Sequence, residues 1–216
     1  MGSRGASGED EGGGRADRLE RYRGKRRFDT TAEPRGADAP SGDEPAFVIQ
    51  IHDARRLHFD FRLEVDGVLK SWAVPRGPST DPTDKRLAVP TEDHPLEYRE
   101  YEGVIPGGQY GAGTVIVWDQ GTYRPLGRGR EGGPDSFAGA LERGHASFWL
   151  DGTKLRGGYA LTRIRNGQDG EAEAWLLVKE KDAGSTRKGE HATPDPRRAR
   201  SARSGRTLRQ VLDEEA

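Results

Sequence analysis

The sequence contains no cysteine, which excludes disulfides, thiolate zinc sites and a cysteine nucleophile. It is also poor in apolar residues: 31% of its 216 residues are hydrophobic and 7% are aromatic, while 33% are charged. A chain of this composition does not pack along its whole length, so we expect a folded domain smaller than the chain. No hydrophobic run approaches the roughly 20 residues that span a bilayer, and residues 1–14 lack the apolar core of a secretory signal. These absences predict a cytoplasmic protein with no membrane partner.

Charge is distributed unevenly, although the formal net charge is only −1. Residues 1–14 are rich in glycine and acids, residues 15–27 are strongly basic, and residues 187–206 carry seven Lys or Arg against two acids. We therefore predict a disordered, basic N-terminal arm over 1–45, a folded domain over 46–182, and a basic tail over 183–216 with a short terminal helix. The basic segments either contact a DNA backbone nonspecifically or are solvated tails.

Short strands separated by turn signals fill the predicted domain. The strand-like segments are FVIQI, FRLEVDGVLKSWAV, KRLAVP, GTVIVWD, ASFWL, GYALTRIR and AWLLVKEK. In the second of these, Asp66-Gly67 tolerates the positive φ that a tight hairpin requires. Because helical periodicity is almost absent, the pattern predicts a mainly β fold, either an antiparallel sandwich or a closed barrel.

One predicted strand, within the stretch HDARRLHFDFRLE, has an unusual polar face. His58, Asp60 and Arg62 share one parity, while the opposite parity is apolar, so a strand would place imidazole, carboxylate and guanidinium side by side. His52 lies upstream with the same parity, and His94 follows a later strand. Imidazole and carboxylate are ligands of manganese, iron and zinc, and a guanidinium binds phosphate oxygens as a fork. The face is therefore either a metal site for an anionic substrate or an ordinary solvated surface.

Two chemistries fit these residues. In the first, His52, His58 and Asp60 bind a metal for phosphoester hydrolysis, and Arg62 and His94 hold or protonate the phosphate. In the second, His58, Asp60 and His94 are the ligands of a non-haem iron oxygenase. Residue chemistry alone does not separate the two. The nearby segment GVIPGGQYGAG lacks the GK[ST] ending of a nucleotide-binding loop and precedes a strand, so it is interpreted as a tight corner.

Three blocks of sequence resemble the 3′-phosphoesterase domain of bacterial DNA ligase D. They are FVIQIHDARRLHFDFRLEVDGVLKSWAVPRGPS, KRLAVPTEDHPLEY and YEGVIPGGQYGAGTVIVWDQGTY, in that order, and a looser similarity continues to AWLLVKEKD. The resemblance implies a compact antiparallel β-barrel and a manganese-dependent enzyme, with other divalent metals as alternatives. Such an enzyme removes a 3′-phosphate and a 3′-terminal ribonucleoside from primer-template DNA to leave a 3′-hydroxyl for repair.

The resemblance also implies a setting for the protein. No polymerase or ligase segment is recognisable in the chain, so we expect a stand-alone family member. Its expected partners are DNA 3′ ends and an end-joining ligase, polymerase or end-binding protein, which would place it at the nucleoid. A module that binds DNA ends without catalysis is the remaining alternative, although such a module has no chemical need for the complete polar set.

Roles for individual residues follow from their positions in the family motifs. The resemblance implies metal binding by His52, His58 and Asp60, and phosphate contact or catalysis by Arg62, His94 and Tyr98. It further implies phosphate or DNA contacts for the residues Arg76, Arg86, Glu92, Arg26 and Glu33.

The N-terminal arm departs from the family pattern. The family carries Arg-Asp-Phe followed by Glu-Pro in a flexible arm that serves ribonucleoside removal, whereas this chain has RRFD at 26–29 and then Glu33-Pro34. The family aspartate is either replaced by Arg27 or displaced to Asp29. The resemblance therefore supports removal of the phosphate more strongly than removal of the ribonucleoside.

Overall fold

The computed structural model describes residues 18–36, 41–127, 136–167, 171–186 and 193–215. The predicted disorder of residues 1–14 and the beginning of the basic stretch at 187–206 lie outside these ranges. The strands in chain order are β1 Ala46–Asp53, β2 Leu57–Val65, β3 Val68–Val74, β4 Arg86–Pro90, β5 Gly103–Ile105, β6 Gly113–Pro125, β7 His145–Gly152, β8 Arg156–Arg165 and β9 Ala174–Lys179.

Eight of these strands close an antiparallel barrel. The order around the barrel is β1-β2-β3-β4-β9-β8-β7-β6, with β6 pairing back to β1, and β5 adds to β6 outside this ring. The predicted mainly β fold with a compact antiparallel barrel is therefore confirmed. The β2–β3 hairpin turns at Asp66 and Gly67, whose φ values of 49° and 77° are both in the left-handed region that the sequence predicts there.

Short helices decorate the barrel. They are α1 Glu20–Gly24, a 3₁₀ helix Leu96–Glu100, α2 Phe137–Glu142 and α3 Leu208–Glu215. The last of these lies where the sequence predicts a short terminal helix, and it contacts β5 and β6. No helix in the described ranges is long and apolar enough to cross a membrane.

Two apolar clusters lie on opposite sides of the barrel wall. Phe59, Phe61 and Leu63 of β2 point into the barrel, as their shared parity predicts. A second cluster covers the outside of β1 and includes Tyr22 of α1 and Leu96 of the 3₁₀ helix, both 0% exposed. Residues 18–36 thus pack against the barrel, although composition predicts disorder for this arm. They do so because a few apolar residues in this polar segment are buried against the outer face of the barrel.

Candidate metal and phosphate site

The polar residues of β1 and β2 meet on the outer face of the barrel wall. In the antiparallel register, His52 lies directly opposite His58, Gln50 opposite Asp60, and Val48 opposite Arg62. Directly opposed residues point to the same face of a sheet, so the two strands together present one row of polar side chains. The parity argument from the sequence correctly placed these side chains together.

Three of these side chains form a compact group of potential metal ligands. One ligand atom from each of His52, His58 and Asp60 lies within 4.8 Å of the others. Nδ1 of His52 is 3.5 Å from one carboxylate oxygen of Asp60, and Nε2 of His58 is 3.6 Å from the other. Two imidazoles and a carboxylate are a common ligand set for first-row divalent metals.

Backbone carbonyls fix the tautomers of both histidines. Nε2 of His52 lies 2.8 Å from the carbonyl oxygen of Gly111, and Nδ1 of His58 lies 2.8 Å from that of Arg56. Because a carbonyl only accepts, each of these ring nitrogens must carry the proton and donate. The lone pairs of the opposite nitrogens then face Asp60, as they must for metal binding. The residues present therefore fit a divalent cation, in donor type and in tautomer.

Arg62 borders this group and is almost completely buried. Its Nη2 lies 3.1 Å from a carboxylate oxygen of Asp60, its Nε donates to Oε1 of Gln50 at 2.8 Å, and its Nη1 donates to Oγ of Ser71 at 2.9 Å. Burial alone would raise the pKa of Asp60, but the charge of Arg62 is the largest of the effects that oppose it, and that pKa is lowered. Asp60 is consequently a carboxylate at any physiological pH.

Gln50 is a site residue that the sequence reasoning missed. Its side chain is completely buried, and its amide nitrogen donates to the carbonyl oxygens of Tyr98 and Tyr101 at 3.0 and 2.9 Å. These two bonds orient the amide so that its oxygen accepts from Arg62. The pairing of β1 with β6 shifts register between Ile49 and Gln50, a bulge of the kind that often aims side chains near active sites. A polar residue on the parity of His52, inside the apolar run FVIQI, was the available signal.

His94 sits behind Arg62 on a bridge that pairs it with Leu69 of β3. Its Nδ1 is 2.8 Å from the carbonyl oxygen of Glu92, and its Nε2 is 3.3 Å from Nη2 of Arg26. Nδ1 also lies 2.9 Å from Nη1 of Arg62. A guanidinium only donates, so each ring nitrogen of His94 faces a donor, and the carbonyl oxygen of Glu92 is the acceptor beside Nδ1. Burial, followed by the charges of Arg62 and Arg26, lowers the pKa of His94 well below its ordinary value. His94 is therefore a neutral imidazole held between the guanidiniums of Arg62 and Arg26.

The arm and the 3₁₀ helix supply a second polar group around His94. Nε of Arg26 donates to Oε1 of Glu33 at 2.8 Å, and its Nη1 donates to Oε1 of Glu92 at 3.1 Å. The hydroxyl of Tyr98 donates to the same oxygen of Glu33 at 2.9 Å. Burial and the charge of Glu33 raise the pKa of Tyr98 well above its ordinary value, so its hydroxyl stays protonated. Arg26, Glu33, Glu92 and Tyr98 thus lie together beside His94.

In the described structure, two predicted contact residues form no hydrogen bond or ion pair with the residues of this site. Arg76 is exposed in the loop after β3, beside Gly77, which packs so tightly on Phe59 that a Cβ there would lie 2.7 Å from its ring. Arg86 donates to Asp84 at 2.6 Å and to Thr193 at 3.0 Å, so it ties a loop to the C-terminal segment. A phosphate or DNA contact for either arginine stays a prediction.

The family model and the relatives that the chain matches all concern DNA ligase D. Residues 50–163 match the family model of the DNA ligase D 3′-phosphoesterase domain. The chain is 47% identical to the multifunctional non-homologous end joining protein LigD of Pseudomonas aeruginosa over 213 residues, covering 87% of the chain and 24% of that protein. It is 48% identical to the corresponding LigD of Mycobacterium tuberculosis over 168 residues, covering 77% of the chain and 20% of that protein. The chain therefore spans less than a quarter of the length of either relative.

Proposed function

The chain belongs to the DNA ligase D 3′-phosphoesterase domain family, and on that premise we propose that it is a metal-dependent hydrolase that processes DNA 3′ ends. We assign it to DNA end joining because its relatives are named as end-joining proteins. Its proposed partners are accordingly an end-joining ligase, polymerase or end-binding protein. Manganese is the proposed ion, although the ligand set also suits other first-row metals. The observation that carries the proposal is the ligand group of two histidines and Asp60 with the buried Arg62 3.1 Å from the carboxylate.

The contacts support separate roles for the proposed metal ligands and for Arg62. A divalent ion held by His52, His58 and Asp60 supplies positive charge to phosphate oxygens and makes water more acidic. Arg62 is held by Gln50 and by a hydroxyl on β3, so its guanidinium is already oriented when substrate arrives. A fixed donor of this kind stabilises charge that develops in the transition state without reorganising.

His94 is the proposed proton donor to the leaving oxygen. In the free protein the imidazole is neutral, and its Nε2 faces Arg26. A phosphate entering beside Arg62 brings negative charge that offsets the two guanidiniums, so the proton affinity of His94 increases on binding. The imidazole can then take up a proton from water and give it to the leaving oxygen.

Removal of the phosphate is the proposed main activity, and removal of a terminal ribonucleoside is a second one that depends on the arm. Glu33 is in the family position and is buried. Arg27 and Asp29 are the two candidates for the family aspartate position. The side chain of Arg27 is 72% exposed, and Asp29 pairs with it at 3.6 Å with 67% exposure. Neither takes part in the contacts around Arg26 and Glu33, which supports the weaker expectation for the diester step.

The oxygenase alternative loses its support in the placement of His94. Among the described residues, the group of potential ligands contains His52, His58 and Asp60, whereas His94 is engaged with Arg26 and the carbonyl of Glu92. The non-catalytic end-binding module remains as an outcome of the experiment.

Single-turnover processing of a labelled primer-template tests the proposal. The primer ends in a 3′-phosphate or in one ribonucleotide, and the reaction is followed with and without manganese for the wild type and His58→Ala. The matched control is His145→Ala, an exposed histidine of β7. We expect metal-dependent formation of a 3′-hydroxyl that is lost in His58→Ala and kept in the control. A folded wild type that binds manganese and DNA but forms no product would contradict the enzyme and leave the end-binding module.

A further inference from the structure

The loop between β5 and β6, residues 106–112, connects the two halves of the site. The carbonyl oxygen of Gly111 accepts from Nε2 of His52, so the loop supports a potential metal ligand. Nε2 of Gln109 donates to the hydroxyl of Thr30 in the arm at 2.8 Å. Between these two anchors lies Tyr110, a residue to which neither the metal group nor the phosphate contacts assign a role.

Tyr110 presents an aromatic ring to solvent beside these anchors. It is 49% exposed, and among the large hydrophobic residues that are exposed in the described ranges it is the aromatic one. Nζ of Lys25 donates to its hydroxyl at 3.1 Å and lies 4.3 Å from the ring centroid. Cζ of Arg26 is 5.9 Å from the same centroid. The ring is therefore steadied by cations of the arm while about half of the residue is open to solvent.

Lys25 also fixes where the ring lies relative to the proposed phosphate position. Its Nζ is 2.9 Å from Oε2 of Glu92, and the other oxygen of Glu92 accepts from Arg26, which contacts His94. One chain of contacts thus links the exposed ring to the imidazole behind Arg62. If a DNA 3′ end bound here, its phosphate would contact the cationic side chains and its base would contact the aromatic ring.

We propose that Tyr110 stacks on the terminal nucleobase of a DNA 3′ end whose phosphate lies between the metal ligands and Arg62, so that it is a substrate-positioning residue. This inference rests on the proposed function. Exposed aromatic rings beside basic side chains are the usual means of holding single nucleic-acid strands, because the cations follow the backbone and every base has a π face. Tyr110 should accordingly contribute to affinity for all four terminal bases.

Steady-state kinetics on matched 3′-phosphorylated primer-templates test the inference. One primer carries a normal terminal base and the other an abasic terminal sugar. The variants are Tyr110→Ala, Tyr110→Phe and the surface control Ile164→Ala, whose residue is 50% exposed on β8. For the normal end we expect Tyr110→Ala to raise KM about tenfold, in the range of one lost base-stacking contact, with kcat unchanged. Tyr110→Phe, which keeps the ring, should restore most of the affinity.

The abasic end gives the decisive contrast. If the ring contacts the base, wild type and Tyr110→Ala have the same KM on the abasic primer. An equal loss on both primers would show that Tyr110 only supports the loop, and no loss on either would show that the ring is not used; both outcomes overturn the inference.

Failure of the proposed function is distinguished by a binding measurement. If the wild type turns over neither primer, fluorescence anisotropy of the same labelled ends gives Kd without catalysis. A base-dependent loss of affinity in Tyr110→Ala would then sustain the stacking contact in a binding module. Equal Kd values for wild type and variant would overturn it.

Discussion

The strand half and the arm half of the site are assembled in different ways. His52, His58, Asp60 and Arg62 come from two neighbouring strands, so the register of β1 and β2 brings them together. Arg26 and Glu33 come from the N-terminal arm and reach the site because residues 18–36 pack on the outside of the wall. The strand half is therefore as stable as the barrel, whereas the arm half also depends on docking of the arm.

This difference has a functional consequence. The proposed metal ligands and Arg62, together with His94, are the groups proposed for hydrolysis of a terminal phosphate. Arg26 of the arm contacts His94, and Glu33 accepts from the hydroxyl of Tyr98. The family resemblance implies that the arm serves removal of the ribonucleoside. Changes in the strand half should therefore abolish both proposed activities, and changes in the arm half should separate them.

The largest effect is expected from Asp60→Asn. Loss of a supporting contact to a metal ligand costs 10- to 100-fold in affinity, so replacement of a ligand should weaken manganese binding by more than about 100-fold. It also leaves Arg62 buried without its carboxylate, which should lower the free energy of unfolding by about 3 kcal/mol. Isothermal titration calorimetry and thermal unfolding measure the two effects.

Two further variants control this experiment. Asp151→Asn removes a carboxylate that pairs with Arg156 on an exposed part of the barrel, and it should bind manganese as the wild type does. His58→Ala removes a partly exposed ligand without leaving an unpaired buried charge. Undiminished manganese binding in both Asp60→Asn and His58→Ala would contradict the assigned metal group.

A smaller effect, still within the strand half, is expected from Gln50→Ala. The variant removes the acceptor of Arg62 Nε and both donors to the 3₁₀ helix region, so the guanidinium loses its fixed orientation. A misplaced positioning group costs about 100-fold in rate, and we expect a loss of this size in kcat for phosphate removal. Manganese affinity should stay at the wild-type value, since Gln50 is not a ligand. A parallel loss of manganese affinity would show instead that the whole strand is disturbed.

The same contrast explains what the sequence could predict. Alternation along β2 was enough to place His58, Asp60 and Arg62 on one face, and turn signals located the hairpin at Asp66, because both properties are local. The contacts of Gln50 are not local, because its amide is oriented by carbonyl oxygens that lie 48 and 51 residues further along the chain. Side-chain function of this kind requires knowledge of which backbone segment packs on the strand.

The arm shows the limit of compositional reasoning. Residues 15–45 are polar and turn-rich, which predicts a segment without a core. Yet Tyr22 is completely buried, and its hydroxyl donates to the carbonyl oxygen of Pro34 at 2.6 Å. A few apolar side chains were sufficient because the barrel wall offered a ready surface for them. The family motifs located Arg26 and Glu33, whereas Lys25 and Tyr110 carried no recognised signal.

A selective effect is expected from Glu33→Gln in the arm half. Glu33 accepts from both Arg26 and Tyr98, and a hydrogen bond to a charged group contributes about 1.5–3 kcal/mol. We expect cleavage of the ribonucleotide end to fall at least about tenfold, with a clearly smaller change in removal of the 3′-phosphate. Quantitative single-turnover rates on the two ends measure the ratio. Asp29→Asn is the control because that side chain is exposed and pairs with Arg27. Equal losses on both ends would mean that the arm acts on the phosphate itself.

The smallest effect is expected in the pH dependence of the free energy of unfolding. This dependence distinguishes His94 from Asp60, the carboxylate on β2. The pKa of His94 is lowered in the folded protein, first by burial and then by Arg62 and Arg26, from an ordinary value of 6.5. Below pH 6.5 the unfolded chain therefore binds more protons than the folded protein does. The contribution of His94 to the free energy of unfolding is fully present above about pH 7 and decreases as the pH falls, by at most about 1.4 kcal/mol per pH unit. Asp60 does not contribute in this pH window, since its lowered pKa means that its stabilisation is lost only below its ordinary value of 3.8.

Urea unfolding of metal-free wild type and His94→Asn between pH 7.5 and pH 5 (roughly the interval over which such a histidine acts) measures the difference. The free-energy slope should be steeper in the wild type, and identical slopes would show that His94 is protonated as readily in the folded protein as in the unfolded chain.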